Sequence, residues 1–209
     1  MKSIGRVGIF GGTFNPVDNA HITIAKQFIS ELNIDKCYII PANISPFKTN
    51  NNDTIEISSA HRIEMLKLAF NDNQKFIIDT YEIEKGGVSY SIDTIQYIKS
   101  KHPNSDIFIL IGSDHAVSFK EWKEWEWILK NTQLCIAMRK GFSSPDEISE
   151  FLKIDKKTPK ILRSPLIQLS ATEIRQKLLK SETIHEFIPH DVEDYINSNK
   201  LYSKNHTSL

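Results

Sequence analysis

Gly8-Ile9-Phe10-Gly11-Gly12-Thr13-Phe14-Asn15-Pro16-Val17-Asp18-Asn19-Ala20-His21 is the stretch on which the fold turns. It begins inside a short apolar run, Ile4 to Phe10, closed by Gly11 and Gly12, so it opens as a buried strand. A loop containing Pro16 follows. A helix then starts near His21, because Ile22, Ala25, Phe28, Ile29 and Leu32 recur at helical spacing. Adjacent glycines let backbone N–H groups approach an anion with no Cβ in the way. The helix N-terminus adds unpaired N–H groups and a favourable dipole. A His in that first turn can donate to a phosphate oxygen. The spacing is neither G-x-G-x-x-G nor G-x-x-x-x-G-K-[ST], so dehydrogenase and P-loop readings lose their main signature. Taken singly, the glycines are an ordinary turn and His21 a surface residue. In a strand–loop–helix setting they tilt together toward an anion site.

Outward from this stretch, short apolar runs alternate with amphipathic ones. Cys37 to Ile40, Phe76 to Ile78, Ile107 to Ile111, Leu134 to Met138 and Leu166 to Leu169 read as strands. Ala60 to Phe70, with Ile63, Leu66 and Phe70 on one face, Ser91 to Ser100, Asp114 to Lys130 in one piece or two, Ala171 to Leu179 and His190 to Asn197 read as helices. Asn43 to Ser58 reads as a mobile polar loop, Glu84 to Gly87 as a turn, Phe142 to Lys160 as a polar excursion, and Asn205 to Leu209 as a fraying tail. The predicted class is α/β, a Rossmann-like doubly wound parallel sheet with helices on both faces. One domain is expected over residues 1–209, with a small helical part from about residue 170. Such sheets bind ligands at the carboxyl ends of their strands.

Composition narrows the function. The 26 basic and 26 acidic residues cancel, so there is no global field for nucleic acid, and any anion site is built locally. Cys37 and Cys135 lie in apolar runs without metal-ligand neighbours and read as buried, reduced thiols. No stretch approaches a membrane span, and no apolar leader precedes the first strand, so a cytosolic protein is expected.

A second anion cradle lies about 150 residues on. In Leu169-Ser170-Ala171-Thr172-Glu173-Ile174-Arg175, Ser170 and Glu173 form a capping box. A helix opening with hydroxyls at Ser170 and Thr172, and with Arg175 one turn later, also suits a polyphosphate. The first stretch resembles the G-[TS]-F-D-P-x-H-x-G-H signature of the adenylyl- and cytidylyltransferase superfamily, and this one resembles its I-S-S-T-x-I-R motif. Within the superfamily the chain is most similar to bacterial nicotinate-nucleotide adenylyltransferases. The resemblance implies that Gly11, Gly12, Thr13, Phe14, Asp18 and His21 line the ATP site, joined by Ser170, Thr172 and Arg175, with His21 and Arg175 catalytic. Three positions depart from the signature: Asn15 for Asp, Asp18 for His or Thr, and Ala20 for Gly. A carboxylate facing phosphates repels them unless a cation, a proton or a rotated side chain intervenes.

Other segments follow the same resemblance, which covers residues 4 to about 142 and 165 to 202. Pro41 to Lys48 is similar to P-x-x-x-P-P-H-K, which implies that Lys48 reaches substrate phosphate; Phe47 stands where His is common. Ser89 to Thr94 looks like S-Y-T-x-D-T-L, implying that Tyr90 and Ser91 meet the nicotinate carboxylate; by itself it is a Ser-capped helix. Ile111-Gly112-Ser113-Asp114 is similar to I-G-x-D, which places Gly112 and Asp114 by the ATP ribose. Phe119 to Trp122 looks like F-x-x-W, with Trp122 stacked on the pyridine ring, although three close tryptophans at this spacing otherwise read as core. Arg139 matches the R of R-x-G, beside the ATP phosphates.

The implied reaction takes AMP from ATP to nicotinate mononucleotide. Magnesium rides on the triphosphate, since no carboxylate cage and hence no protein metal site is visible. Three rivals stand beside it: the amidated mononucleotide as substrate, a phosphopantetheine adenylyltransferase or cytidylyltransferase, and a non-catalytic nucleotide-binding relative suggested by Asp18. Ser89 to Thr94 and Trp122 speak against the second. Homo-oligomerisation stays open.

Overall fold

The computed structural model describes residues 5–46, 57–138, 158–163 and 170–203. Six strands form one sheet: β1 (Arg6–Gly12), β2 (Lys36–Pro41), β3 (Phe76–Ile78), β4 (Asp106–Gly112), β5 (Gln133–Ala137) and β6 (Lys160–Ile161). Their order is β3-β2-β1-β4-β5-β6, and every pairing is parallel. The chain starts at the centre, winds outward through β2 and β3, then returns to β4 and winds the other way. The carboxyl ends of β1 and β4 therefore diverge into connections on opposite faces, which opens a crevice between them.

The helices are α1 (Asn19–Glu31), α2 (Ser59–Phe70), α3 (Tyr81–Lys85), α4 (Ser91–Lys101), α5 (Ser113–Ala116), α6 (Trp125–Asn131), α7 (Ala171–Leu179) and α8 (His190–Ser198). Because side chains alternate along a strand, each central strand feeds two cores. Phe10, Cys37, Ile39, Phe108 and Leu110 point to one face and pack with Phe28 of α1, Leu66 of α2, Ile174 of α7 and Val192 of α8. Val7, Ile9, Tyr38, Ile40, Ile109 and Ile111 point to the other and pack with Ile95 and Ile98 of α4 and Ile128 of α6. The doubly wound α/β class is the one observed. The C-terminal helices share the first core with β1, so the far end of the chain is fixed against its beginning.

Local differences have local causes. The expected helix over Asp114 to Lys130 divides into α5, a 3-10 turn at Phe119–Glu121 and α6. Glu124 sits in the left-handed region at φ 57°, which interrupts the helical path before Trp125. The predicted turn at Glu84 to Gly87 ends a short helix, α3, and is made by Gly86 and Gly87 at φ 71° and 69°. β6 falls inside and just beyond the stretch read as a polar excursion; two residues carry no periodic signal. On α2 the inward face is Arg62, Met65, Leu66 and Phe70, not Ile63. Residues 47–56, the run 166–169 and the tail 204–209 lie outside the described residues, as does nearly all of the 142–160 excursion.

Both cysteines are buried and reduced. Burial pushes the Cys135 thiol up to about 12 and that of Cys37 upward as well, so both are inert core groups.

Candidate active site

A cleft of about 690 Å³ opens where β1 and β4 part. It brings together the two distant stretches singled out above. Gly11, Gly12, Thr13, Phe14, Asp18 and His21 line one wall, and Ser170, Thr172 and Arg175 line another. Gly112 and Asp114, at the end of β4, lie between them, and Tyr90, Ser91 and Trp122 complete the lining. Lys48 and Arg139 fall outside the described residues.

The glycines act differently from the expectation. Gly11 and Gly12 are the last two residues of β1, in ordinary strand conformation. At Gly12 a Cβ would come within 3.0 Å of the Phe14 ring, so this glycine makes room for a side chain of its own loop. Phe14 takes the left-handed conformation, φ 48°, and is buried against Phe10 with ring centroids 5.4 Å apart, edge to face. The loop is thus shaped by an aromatic anchor.

Asp18 caps α1. Its carboxylate accepts the His21 backbone N–H at 2.8 Å. The carboxylate lines the cleft and is turned onto its own helix. The His21 ring stands edge-on to Phe14, 5.2 Å between centroids, and remains partly accessible.

α7 is finished in the same way. The Glu173 carboxylate accepts the Ser170 N–H at 2.7 Å, while Ser170 Oγ accepts the Glu173 N–H at 3.3 Å. These bonds hold the Glu173 carboxyl below the usual carboxylate range. Arg175 is buried, donating to the Asn15 carbonyl at 2.7 Å and to Thr172 Oγ1 at 3.0 Å. A guanidinium has more N–H donors than these two contacts use, and the cleft lies beside it. Burial lowers its pKa from a very high starting value, so the charge stays.

Asn15, a departure from the signature, has a structural task. It is buried, and its side-chain oxygen accepts the Tyr202 hydroxyl at 2.5 Å. Arg62 donates to the carbonyls of Thr13 and Ala42 at 2.9 and 2.8 Å. Sequence reading passed over Arg62, although a cation on the apolar face of α2 was the available signal. Tyr202 and Arg62 together tie the β1 loop to the C-terminus and to the end of β2.

The α4 end of the cleft contrasts with α1 and α7. Tyr90 is the N-cap residue but makes no side-chain bond to the helix. Ser91 is the first helical residue, not the cap. Ser89, Tyr90, Ser91 and Thr94 line the cleft, with Lys123 poised over the Tyr90 ring at 4.9 Å. Thr94 donates to buried Glu82 at 2.5 Å, and burial pushes the Glu82 carboxyl up. Of the three tryptophans only Trp122 lines the cleft, packed on Phe119 at 5.1 Å. Trp125 and Trp127 lean on the second core. Glu82, His115 and Lys123 are lining residues that no motif had marked. Among the described residues no three His, Cys, Asp or Glu side chains gather as a metal site, and no helix is long and apolar enough to cross a membrane.

The profile of the cytidylyltransferase-like family matches residues 9–177. A Lactococcus lactis protein named "Probable nicotinate-nucleotide adenylyltransferase" is 35% identical over 95% of this chain and 96% of its own length. A Neisseria meningitidis protein of the same name is 32% identical over 95% of this chain and 99% of its own. A solved structure of Plasmodium falciparum nicotinic acid mononucleotide adenylyltransferase complexed with NaAD superposes with a TM-score of 0.71 at 26% identity, covering 95% of this chain and 97% of that one. With two capped helix starts facing one crevice and likeness along nearly its whole length, this chain belongs to the nicotinate-nucleotide adenylyltransferase family of cytidylyltransferase-like proteins.

Proposed function

We propose that this chain transfers the adenylyl group of ATP to nicotinate mononucleotide, releasing pyrophosphate and forming nicotinate adenine dinucleotide for NAD synthesis in the cytoplasm. Two anion-binding helix starts, α1 and α7, lining one cleft at the β1–β4 switch point carry this conclusion. An oxygen of the mononucleotide 5′-phosphate attacks the α-phosphorus of ATP in line. A new P–O bond forms there, and the bond to the α–β bridging oxygen breaks, so pyrophosphate leaves with both electrons. A phosphate oxygen is already ionised at neutral pH, so no protein nucleophile is needed. Catalysis is positioning and charge neutralisation.

In this reading His21 stabilises charge building at the α-phosphate. Thr172 and Arg175, with Ser170 at the same helix start, hold the leaving phosphates, and Asp114 accepts from ribose hydroxyls. ATP arrives as its magnesium complex. Lys48 and Arg139 add cationic contacts to phosphate. The α4 terminus explains the acid preference. Its N–H groups at Ser91 and Ile92, with no side-chain cap from Tyr90, favour an anion over a neutral amide. Lys123 at the rim adds positive charge, and Trp122 offers a face to the pyridine ring.

The test is incubation of the purified chain with MgATP and either nicotinate or nicotinamide mononucleotide, with mass detection of the dinucleotide. The acid product should form at least about tenfold faster than the amide, the ratio expected if a helix-end anion contact contributes up to about 2 kcal/mol. Equal rates would remove α4 as the selecting element. No product from either would refute the transfer itself.

A further inference from the structure

Asp18 is the least expected residue of the cleft, and its geometry gives it more than a capping role. His21 Nδ1 lies 2.7 Å from Asp18 Oδ1. The same ring nitrogen lies 3.3 Å from the Asp18 backbone N–H. These two contacts demand opposite things of Nδ1. Acceptance from the backbone needs a lone pair, whereas contact with a carboxylate needs a proton. At 2.7 Å a lone pair facing a carboxylate oxygen is repulsive, and a proton there makes a charge-assisted bond stronger than the long backbone contact. An ionised carboxylate has no proton to give, so the hydrogen belongs to Nδ1.

Burial keeps this contact from being diluted by water. Asp18 is 3% exposed, and the His21 side chain is 16% exposed, flanked by the rings of Phe10 and Phe14. With Nδ1–H held, Nε2 is the nitrogen left for a ligand in the cleft. It meets a phosphate oxygen as a donor once the ring carries both protons. Asp18 oxygen Oδ1 also holds the His21 backbone N–H, so one carboxylate fixes both the ring and the helix start that carries it.

We propose that Asp18 is a positioning residue for His21: its carboxylate holds Nδ1–H and balances the imidazolium charge, so that the doubly protonated ring turns its Nε2–H to the transferring phosphoryl group. This rests on the adenylyl transfer proposed above, but the tautomer can be read without turnover.

Asp18→Ser is the decisive variant, because Ser caps a helix about as well as Asp while its short side chain abandons the imidazole. In the unmodified protein, ring nitrogen NMR of His21 should show the Nδ1–H form of the neutral imidazole. In Asp18→Ser it should shift to the commoner Nε2–H form. With MgATP and nicotinate mononucleotide, kcat should fall about 10- to 100-fold with KM for ATP within about threefold, at unchanged melting temperature. Asp18→Asn, which keeps an acceptor oxygen of the same shape, should recover part of the loss. An unmodified enzyme already in the Nε2–H form would overturn the proposal, as would an Asp18→Ser enzyme with undiminished kcat. A gain in kcat/KM through a lower KM for ATP would show Asp18 to be only a repulsive charge. A protein inactive with both mononucleotides refutes the transfer reaction while leaving the tautomer measurement to judge Asp18.

Discussion

α7 and α4 both aim their N-termini into the cleft, yet one is closed by its own side chains and the other is left open. At α7, Ser170 and Glu173 satisfy each other's backbone N–H groups, and at α1 the Asp18 carboxylate accepts the His21 backbone N–H. At α4, the Tyr90 side chain makes no bond to the helix end, and only its carbonyl accepts, from the N–H groups of Asp93 and Thr94. A capped terminus offers ligands its side chains, such as His21, Thr172 and Arg175, held rigidly by the cap. An uncapped terminus offers its amides. The first arrangement suits a large, multiply charged polyphosphate that needs directed donors. The second suits one small carboxylate. In the proposed reaction, selectivity between anions in one cleft rests on how each helix begins.

That contrast can be broken most severely at His21. His21→Ala removes the donor and leaves Asp18 able to cap the helix. We expect kcat to fall about 100- to 1,000-fold, with a far smaller change in KM for ATP, by steady-state kinetics. Unchanged turnover would move the chemistry away from the capped α1 terminus.

A middle-sized effect is expected when the open terminus is closed. Tyr90→Asp places a carboxylate where a cap belongs. Stability should hold or rise by about 0.5–1 kcal/mol, while KM for nicotinate mononucleotide rises about tenfold and KM for ATP stays put. Tyr90→Phe, which keeps the ring that Lys123 overlies, is the control and should behave as the unmodified enzyme. If Tyr90→Asp binds the mononucleotide normally, the α4 amides do not hold its carboxylate.

The smallest effect sharpens the other side. Ser170→Ala opens the α7 cap and should cost about 1 kcal/mol, or about 2–4 °C in melting temperature. The sign of its pH dependence follows from Glu173, whose carboxyl is depressed by the bonds from Ser170. A depressed carboxyl stabilises the fold above its unfolded value near 4.5 and loses that contribution as pH falls further. The difference between Ser170→Ala and the parent should therefore be full at pH 7 and shrink in acid. A difference that grows in acid would contradict the reciprocal cap.

Much of this architecture was legible in the chain. Apolar runs such as Ile107 to Ile111 announced buried strands, and the Ser170–Glu173 spacing announced a cap, because both are local and periodic. What could not be read was equally specific. Arg62 was passed over: its place on the apolar face of α2 marks it as unusual, but nothing local says that the carbonyls of Thr13 and Ala42 accept from it. By spacing alone Trp122 could not be told from Trp125 and Trp127, and only the F-x-x-W resemblance singled it out, because their difference lies in a break of the helix at Glu124. Asp18 looked like a charge facing phosphate, and only its side-chain direction shows it turned onto His21.

The sequence by itself determined the α/β alternation, the glycine- and proline-marked loop after the first strand, and the residue types at the two helix starts that line the cleft. These follow from short-range periodicity and turn chemistry, which act within a few residues. Tertiary structure decided which of those residues share a cleft, that Asn15 answers Tyr202 from the far end of the chain, and that α4 stays uncapped while α1 and α7 do not. Such outcomes depend on packing between segments up to 187 residues apart, and no local preference encodes the direction a side chain takes once the core has closed around it.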